Sequence, residues 1–446
     1  MNKPMKRVGL LSLGCAKNLV DSEVILGELQ GQGYEVTPDA DDADVVIVNT
    51  CGFIDQAKEE SIDAILEMAE LKKKGRLQKL IVAGCLSQRY HDEMAQEMPE
   101  VDVFLGTNAA RDIATHLREG ATAPVWSPDF LYSAASKRVL TTPKHSAYVK
   151  ISEGCDHTCS FCIIPHLRGG HRSRSIDDIC AEVTELGRNG VREINLVAQD
   201  STYYGRDLGL KDGLAQLLTS LNDVQTVAWI RVHYMYPYQI TPRLLKVMSE
   251  SPRICPYIDM PLQHADARVL ADMRRGSGRK QLSAFLDRIR KAMPKAFLRS
   301  SFIVGYPTED QAAFTELVGF IEDQAFDYLG VFTYSHEEGT HAHRHQDGHS
   351  TEVKEARKET LLAIQKDISA RKLNQLVGHT LDVLVEGPHP ETDLLLKGRH
   401  MGQAPDVDGE VLITEGRYSA GDIIPVTVEE AFDYDLAGRV IGGMEV

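Results

Sequence analysis

The sequence predicts an α/β protein built from three domains. Its 446 residues are enough for about three hydrophobic cores. Strand-like and helix-like segments alternate in residues 6–120 and again in 141–377, whereas 378–446 contain short β-like pieces broken by Gly and Pro. Alternation of this kind predicts parallel strands with helices on the sheet faces. We therefore expect an N-terminal open parallel α/β sheet, a central partial (β/α)6 barrel and a small C-terminal antiparallel β-barrel.

In the N-terminal domain, apolar runs predict four buried strands. The strands are 7–13, 44–50, 79–85 and 101–106, and helical patterns occupy 18–32, 54–74 and 87–98. Cys15, Cys51 and Cys85 each stand at or just past the C-terminal end of a predicted strand. Open α/β sheets bind their ligands at that edge. We therefore expect the three thiols to meet at one rim of the sheet.

The central domain has six strand candidates, with helical stretches such as 176–188 and 281–293 between them. The candidates are AYVKIS (147–152), REINLVA (192–198), VAWIRVH (227–233), PYIDMPL (256–262), FLRSSFIVG (297–305) and YLGVFTY (328–334). Six βα units predict a partial barrel with its chemistry at the strand C-termini. The segment EGCDHTCSFC follows the first strand and places Cys155, Cys159 and Cys162 at that edge.

The rest of the chain predicts a connection, a helix and a small barrel. Residues 107–143 indicate a connection because 121–130 are rich in turn formers. Residues 351–376 have a helical pattern capped by Ser350, and we expect their basic side chains to form a solvated face. After Gly378, the pieces TLDVLVEG, GEVLITEG and DIIPVTVEEAF predict the antiparallel barrel.

Composition indicates a cytoplasmic protein without a membrane segment. The longest apolar runs are far below the roughly 20 residues that cross a bilayer, and the N-terminal apolar run is too short for a signal peptide. Eight cysteines are too few for a disulfide scaffold, so clustered cysteines indicate metal binding or catalysis. A net charge of −16 disfavours a nucleic-acid partner unless the charge is segregated.

The triplet Cys155-x3-Cys159-x2-Cys162 supplies three thiolates with no fourth cysteine nearby. One explanation is a zinc site whose fourth ligand is a nearby histidine. The nearby histidines are His157, His166 and His171. The other explanation is a [4Fe–4S] cluster, whose four irons each need an outside ligand, so that one iron stays open. An open iron can bind S-adenosylmethionine, and electron transfer can then split its sulfonium bond to give a carbon radical.

The cysteine motifs resemble those of radical S-adenosylmethionine enzymes and, within them, the methylthiotransferases. The triplet after a first barrel strand, with Phe161 beside its last cysteine, is similar to the radical signature. SLGCAKNLVDSE (12–23), NTCGFI (49–54) and GCLSQRY (84–90) resemble the three cysteine motifs of the methylthiotransferase N-terminal domain. The resemblance implies that a second [4Fe–4S] cluster, also with an open iron, is held by Cys15, Cys51 and Cys85.

The resemblance also implies the cofactors and the division of labour. The first cluster and S-adenosylmethionine generate a radical, the second cluster presents sulfur, and a second S-adenosylmethionine supplies a methyl group. An electron donor such as flavodoxin or ferredoxin is expected, and no catalytic side chain is assigned. Gln199 and Asp200, which end the second barrel strand, are candidates for the S-adenosylmethionine or substrate pocket. Cys180 and Cys255 match no cluster motif, and we interpret them as buried structural thiols.

The motif variants resemble the branch of the family that modifies an aspartate of ribosomal protein S12, and a transfer-RNA methylthiotransferase is the alternative. The C-terminal segment resembles a TRAM domain through DYDLAGRV (433–440), a module that is basic when it binds RNA. Residues 378–446 instead contain 14 Asp and Glu against 4 Lys and Arg, a net charge of −10 of the total −16. This charge favours a basic protein partner such as S12, and nucleic acid is not expected as the substrate.

Two further interpretations stay open. A non-catalytic iron–sulfur or zinc assembly protein would have the same cysteines without cleaving S-adenosylmethionine. Four histidines alternate in the polar stretch 335–349, which indicates an exposed loop more often than a metal site; they are His341, His343, His345 and His349. The sequence shows no Ser/His/Asp nucleophile motif, P-loop or dinucleotide fingerprint.

Overall fold

The computed structural model describes residues 6–119 and 127–440. The N-terminal strands are β1 (Arg7–Ser12), β2 (Glu35–Val36), β3 (Val45–Thr50), β4 (Lys79–Gly84) and β5 (Val103–Phe104), and the helices are α1 (Ala16–Gly31), α2 (Asp55–Lys73), α3 (Cys85–Glu97) and α4 (Ala109–Glu119). The strands form one parallel sheet in the order β2-β1-β3-β4-β5. The open parallel sheet predicted from the sequence is confirmed, and the short β2 is an addition at its edge.

Continuous apolar runs place β3 and β4 in the centre of this sheet. Every residue of β3 is buried, and so is every residue of β4 after Lys79. Strands that are covered on both faces have such runs, whereas half-exposed strands alternate. One face packs against α1 and α4 and the other against α2 and α3. This packing aligns the carboxyl ends of β1, β3 and β4 at one edge.

The central domain is the predicted partial (β/α)6 barrel. In chain order its strands are β6 (Ser146–Lys150), the short antiparallel pair β7 (Ser152–Glu153) and β8 (Arg172–Ser173), β9 (Glu193–Val197), β10 (Trp229–Val232), β11 (Tyr257–Asp259), β12 (Phe297–Val304) and β13 (Tyr328–Thr333). Two parallel three-stranded sheets, β10-β9-β6 and β11-β12-β13, make up the wall. All six strands predicted for this domain are confirmed.

Eight helices belong to the central domain. They are α5 (Ile164–Arg168), α6 (Ile176–Arg188), α7 (Gly213–Asn222), α8 (Pro242–Glu250), α9 (Ala267–Asp272), α10 (Arg279–Ala292), α11 (Gln311–Gln324) and α12 (Thr351–Asn374). Within residues 6–119 and 127–440, no helix has both the length and the hydropathy that a membrane span requires.

The basic side chains of α12 do not all form the expected solvated face. Lys354 and Arg357 are buried. Lys354 pairs with Asp347 (2.6 Å) and Arg357 with Glu309 (2.8 Å). The expectation was wrong for these two residues because charges can be buried when a carboxylate on another element meets them.

The barrel strand β9 has an apolar face toward the helices and buried polar residues on its opposite face. On β9, Ile194 and Leu196 join the core formed with the helices, whereas Glu193 and Asn195 on the opposite face are polar and buried. The buried Glu193 is paired with Arg231 on β10 (3.0 Å) and with Arg399 of the C-terminal domain (2.6 Å). These ion pairs attach the C-terminal domain at the end where β9 begins.

The C-terminal domain is a closed five-stranded barrel. Its strands are β14 (Thr380–His389), β15 (Thr392–His400), β16 (Val411–Ile413), β17 (Ile423–Ala431) and β18 (Leu436–Val440), in the order β14-β15-β16-β18-β17. The pairs are antiparallel except β16 with β18, which run parallel. Asp408, in the loop after β15, accepts hydrogen bonds from Tyr257 (2.7 Å) and Arg299 (2.9 Å) of the central barrel.

The predicted domain limits 6–120, 141–377 and 378–446 remain predictions. Residues 120–126, in the predicted connection, and the terminal residues 441–446 lie outside the described part of the chain.

Replacing Glu193 by Gln should lower the midpoint of thermal unfolding, because Arg231 and Arg399 would lose a shared buried carboxylate. Breaking a buried pair costs about 3–5 kcal/mol. Burial opposes ionisation, but Arg399 and Arg231 hold the pKa of Glu193 well below its ordinary value. A carboxylate with a depressed pKa stabilises the fold above its unfolded-state pKa and loses that effect as pH falls through its folded-state pKa. The difference between wild type and variant should therefore be constant near neutral pH and shrink below about pH 4.

Scanning calorimetry across this pH range measures the effect. The exposed Glu185 on α6 provides the matched control, and Glu185→Gln should leave the midpoint unchanged. Equal midpoints for wild type and Glu193→Gln at neutral pH would contradict the prediction.

Candidate functional site

The structure brings Cys15, Cys51 and Cys85 together at one edge of the N-terminal sheet. Cys15 directly precedes α1, Cys51 directly follows β3, and Cys85 begins α3 directly after β4. The strands β1, β3 and β4 are neighbours in the sheet. The convergence expected from the sequence is therefore present, with each thiol supplied by a different loop.

Glycines allow these three loops to approach one another. Gly14 has φ +88°, and a Cβ at that position would lie 2.7 Å from Cys51 Cβ and 2.9 Å from Cys51 Sγ. A Cβ at Gly52 would lie 2.8 Å from the backbone of Leu86, next to Cys85. Side chains at either glycine would force the cysteine loops apart.

The thiols of the N-terminal triplet differ in their electrostatic surroundings. Burial raises the pKa of Cys51 to about 12 and also raises the pKa of Cys85. Burial opposes ionisation of Cys15 as well, but the cations Lys17 and Arg168 leave its pKa below the ordinary value. Cys15 is therefore the thiol of this triplet whose anion the protein stabilises most.

The barrel triplet lies in a loop whose two ends are joined by β7 and β8. The N–H of Cys155 donates to the carbonyl of Gly169 (3.1 Å) and closes the loop further. At the loop centre, Ser160 N–H donates to the carbonyl of Met273, and the Ser160 hydroxyl lies 2.9 Å from the Tyr306 hydroxyl. These bonds fix the three cysteines relative to the barrel.

Burial is the main cause of the raised pKa values of the thiols in the barrel triplet. It raises the pKa of Cys155 to about 11 and that of Cys162 to about 12. The guanidinium of Arg275 donates to Cys159 Sγ (3.6 Å) and lies over the Tyr236 ring. Thiolates in such a site need a cationic partner, and iron–sulfur clusters or metal ions provide one.

The donor set fits a cluster better than a zinc ion. His157 Nε2 lies 2.6 Å from Asp200 Oδ2, His171 Nε2 lies 3.0 Å from Ser173 Oγ, and His166 is exposed. In the described part of the chain, no three His, Cys, Asp or Glu side chains are arranged to hold a single metal ion. A [4Fe–4S] cluster binds each cysteine to a different iron, so its ligands need not converge on one point.

Gln199 and Asp200 both lie next to the barrel triplet. Asp200 accepts from Thr202 N–H (2.8 Å) and holds His157, whose ring stacks on Tyr236 with centroids 4.2 Å apart. Gln199 donates to Glu153 (2.6 Å), and its Oε1 is buried with no hydrogen-bond partner among the described residues. The geometry makes Asp200 a positioning residue for His157 and leaves Gln199 Oε1 able to accept a bond from a ligand.

A buried ion-pair network joins the two triplets. Arg168, the last residue of α5, donates to Asp21 on α1 (2.8 Å), Glu153 (3.0 Å) and Asn18 (3.1 Å). Lys150 also pairs with Asp21 and with Glu153 (2.6 Å). Burial opposes ionisation of Glu153, but Lys150 and Arg168 lower its pKa. One guanidinium thus links the loop after Cys162 to the helix that follows Cys15.

Apolar contacts and ion pairs hold the domains together around this network. Cys85, Ile163 and Leu167 form a small buried cluster with Phe53 against it. Glu337, after β13, pairs with Lys58 of α2 (2.9 Å) and Arg89 of α3 (2.6 Å). The two triplets therefore share one protected region between the N-terminal sheet and the barrel.

Of the other residues named from the sequence, the two remaining cysteines lie apart from this region, whereas the histidine stretch 335–349 contacts the barrel loop, because the N–H of Ala342 donates to the carbonyl of Ser160 (2.7 Å). Cys255 is buried, which agrees with its interpretation as a buried structural thiol. Cys180 is only half-buried against the main core, so that interpretation fits it less well. His345 pairs with Asp272 (3.2 Å), and His336 packs on His343 with ring centroids 4.2 Å apart.

Sequence reasoning did not single out Lys17, Asp21, Lys150, Glu153 or Arg168. A usable signal was present, because Lys17 and Asp21 belong to the first cysteine motif and Arg168 to the barrel loop. Charged residues inside a cysteine motif therefore indicate a charge network beside the cysteines.

Comparison with known families agrees with this architecture. Residues 7–106 match the uncharacterized protein family UPF0004, 149–321 match the radical SAM superfamily, and 377–441 match the TRAM domain. Fold and site thus define a radical S-adenosylmethionine protein with a C-terminal TRAM domain. As the radical SAM match implies, it takes a [4Fe–4S] cluster and S-adenosylmethionine.

Full-length relatives specify the family. Ribosomal protein uS12 methylthiotransferase RimO of Myxococcus xanthus is 50% identical over 98% of this chain and 92% of its own length. The same-named proteins of Solibacter usitatus and Geobacter sulfurreducens are 48% and 44% identical over 98% and 99% of this chain, and 96% and 100% of their own lengths. The chain belongs to the family of ribosomal protein uS12 methylthiotransferases.

A solved structure shares the fold. The radical S-adenosylmethionine methyltransferase TsrM of Kitasatospora setae has a TM-score of 0.53 and 12% identity, covering 73% of this chain and 72% of its own.

Replacing Arg168 by Met should destabilise the protein, because Asp21 and Glu153 would share a single buried cation, Lys150. The expected cost approaches the roughly 3–5 kcal/mol of a broken buried pair. Adding Asp21→Asn to the Arg168→Met variant should recover part of the lost stability, since residues in one network couple by about 0.5–3 kcal/mol. Thermal unfolding of the two single variants and the double variant measures this coupling. The exposed Arg188 supplies the control variant Arg188→Met, and strict additivity of the two changes would refute the network.

Proposed function

We propose that this protein replaces a C–H bond at the β-carbon of an aspartate in ribosomal protein uS12 with a methylthio group. The observation that supports this most directly is the meeting of two cysteine triplets across Arg168 in a chain that matches uS12 methylthiotransferases from end to end. A transfer-RNA substrate is not favoured, because the full-length relatives named above are uS12 enzymes and the C-terminal domain is acidic.

Two sets of cysteines would hold the cofactors. Cys155, Cys159 and Cys162 would bind the [4Fe–4S] cluster that takes S-adenosylmethionine, with Gln199 Oε1 as an acceptor in the same pocket. A second [4Fe–4S] cluster would be bound at the N-terminal sheet by Cys15, Cys51 and Cys85. When bound, these groups supply one-electron reduction, hydrogen abstraction, sulfur and the methyl group.

The chain's own residues position and protect this chemistry. Ile163 and Leu167 pack on Cys85, and we expect their apolar side chains to keep water from the space between the triplets. Asp200 fixes the orientation of His157, and Arg275 places positive charge beside Cys159. No side chain is assigned as a proton donor or acceptor for the reaction.

The surface of the C-terminal domain supports a basic protein partner. Its exposed, described carboxylates are Asp382, Glu391, Asp406, Glu415, Asp422, Glu429, Glu430 and Asp433, whereas its exposed cations are Arg417 and Arg439. Such a field attracts a basic partner and repels phosphates. We further propose a low-potential one-electron donor of the flavodoxin or ferredoxin type, which the radical step requires. Because ribosomes are cytoplasmic, we place the reaction in the cytoplasm.

The substrate assignment is tested by mass spectrometry of uS12 before and after anaerobic incubation with the reconstituted enzyme, S-adenosylmethionine and reductant. We expect one methylthio group in place of one hydrogen, located by fragmentation at an aspartate. The uS12 variant with Asn at that aspartate should stay unmodified. An unchanged wild-type uS12 together with modified transfer RNA would overturn the assignment.

The two cluster sites are tested by separate triple variants. Replacing Cys155, Cys159 and Cys162 by Ala should abolish S-adenosylmethionine cleavage and leave roughly half of the iron, because a [4Fe–4S] cluster in the other domain has its own ligands. Replacing Cys15, Cys51 and Cys85 should also leave about half of the iron but preserve cleavage.

Iron and sulfide quantification after anaerobic reconstitution provides the measurement. Cys180→Ser serves as the control, and it should retain all iron because Cys180 lies on α6, away from both triplets. Complete loss of iron in either triple variant would argue against two independent sites.

A further inference from the structure

Lys17 is a charged side chain at the junction of the two domains. It lies in the first turn of α1, two residues after Cys15. Its Nζ is 3.5 Å from the centroid of the Tyr234 ring, and Tyr234 follows β10 on the wall of the barrel. The ammonium group therefore lies between the N-terminal triplet and the barrel.

The neighbouring cations of this junction have carboxylate partners, unlike Lys17. Lys150 and Arg168 share Asp21 and Glu153, as described above. For Lys17, no carboxylate oxygen lies within 4.0 Å of Nζ among residues 6–119 and 127–440. An ammonium group can donate three hydrogen bonds. The cation–π contact with the Tyr234 ring compensates the charge of Lys17 only in part. The chain offers this ammonium group the neighbouring Cys15 thiolate but no described carboxylate, so a carboxylate from another molecule can still bind it.

Tyr234 is held in an uncommon backbone conformation beside Lys17. Its φ of +57° lies in the left-handed region, which bulky residues rarely adopt. Its N–H donates to Asp259 Oδ2 (3.0 Å), and its carbonyl accepts from the N–H of Ser201 (3.0 Å). Strained residues fixed in this way are concentrated at ligand sites and active sites. Two residues later, Tyr236 stacks on His157 of the barrel triplet loop, so one short segment contacts the surroundings of both triplets.

We propose that Lys17 binds the side-chain carboxylate of the aspartate that the enzyme modifies. This inference rests on the proposed function. The carbon to be modified is bonded directly to the carboxylate carbon, so a cation two residues from Cys15 holds that carbon beside the N-terminal triplet. A charge-assisted hydrogen bond between ammonium and carboxylate also distinguishes aspartate from the isosteric but neutral asparagine.

The test compares the binding of uS12 with its native aspartate and of uS12 with Asn at that position. Both are titrated anaerobically into reconstituted wild-type enzyme, and anisotropy of a label on uS12 gives the affinities. Wild type should prefer the aspartate form by about tenfold to a hundredfold, the range of a hydrogen bond to a charged group. Lys17→Met should remove this preference by weakening the aspartate form alone, and Lys17→Arg should restore much of it.

Three controls separate this contact from a structural role. Iron and sulfide content shows whether the N-terminal cluster survives each change at Lys17. The exposed Lys73 on α2 provides the matched variant Lys73→Met, which should keep the preference. The affinity for S-adenosylmethionine should be the same in wild type and Lys17→Met.

Each outcome decides the proposal. Equal weakening of both uS12 forms in Lys17→Met, or a wild type without preference, would overturn it. A loss of S-adenosylmethionine affinity with the preference intact would assign Lys17 to the cofactor and also overturn it. A preference that depends on Lys17, found with an enzyme that does not methylthiolate uS12, would uphold the contact and count against the proposed function alone.

Discussion

The position of the N-terminal sheet on the barrel depends on the buried guanidinium of Arg168. Its partners Asp21 and Glu153 come from different domains, so moving the domains apart would leave charges unpaired in a region with little water. An unpaired buried charge costs far more than a surface ion pair contributes. The charge network therefore favours a single docked arrangement, and that arrangement sets the separation of the two cysteine triplets.

The opposite end of the barrel is closed by the same kind of interaction. Glu193, at the start of β9, joins Arg231 to Arg399, and Asp408 joins Tyr257 to Arg299. The C-terminal domain thus contacts the amino ends of barrel strands, whereas the cysteine loop and the N-terminal domain are at the carboxyl ends. Barrel enzymes carry their chemistry at the carboxyl ends of the strands. The C-terminal domain therefore closes the amino end of the barrel without covering the end that holds the cysteines.

The sequence was sufficient for most of the elements but not for the contacts between domains; the prediction of a connection over 107–143 was wrong for Ala109–Glu119, which form α4. The buried strands β3 and β4 and the cysteine positions after them could be predicted, because long apolar runs and parallel strand ends follow local rules. The pair Asp21 and Arg168, 147 residues apart, could not, since it exists only once two domains have docked. Lys354 and Arg357 were assigned to solvent because their partners Asp347 and Glu309 lie on other elements of the same domain, which a helical pattern alone does not reveal. The parallel pairing of β16 with β18 also depends on barrel closure.

Charge acts on the substrate at two distances. The sequence charge of the C-terminal domain overstates its outward field, because the Asp408 side chain is fully buried and Glu386 is paired with Arg399. The field outside this domain is still negative, since the exposed charges of its described surface are mostly carboxylates. Such a field is screened within about 10 Å at moderate salt, so it speeds encounter without choosing a residue. Choosing one aspartate needs a short-range cation inside the docked junction, where screening is weak, and Lys17 occupies that position.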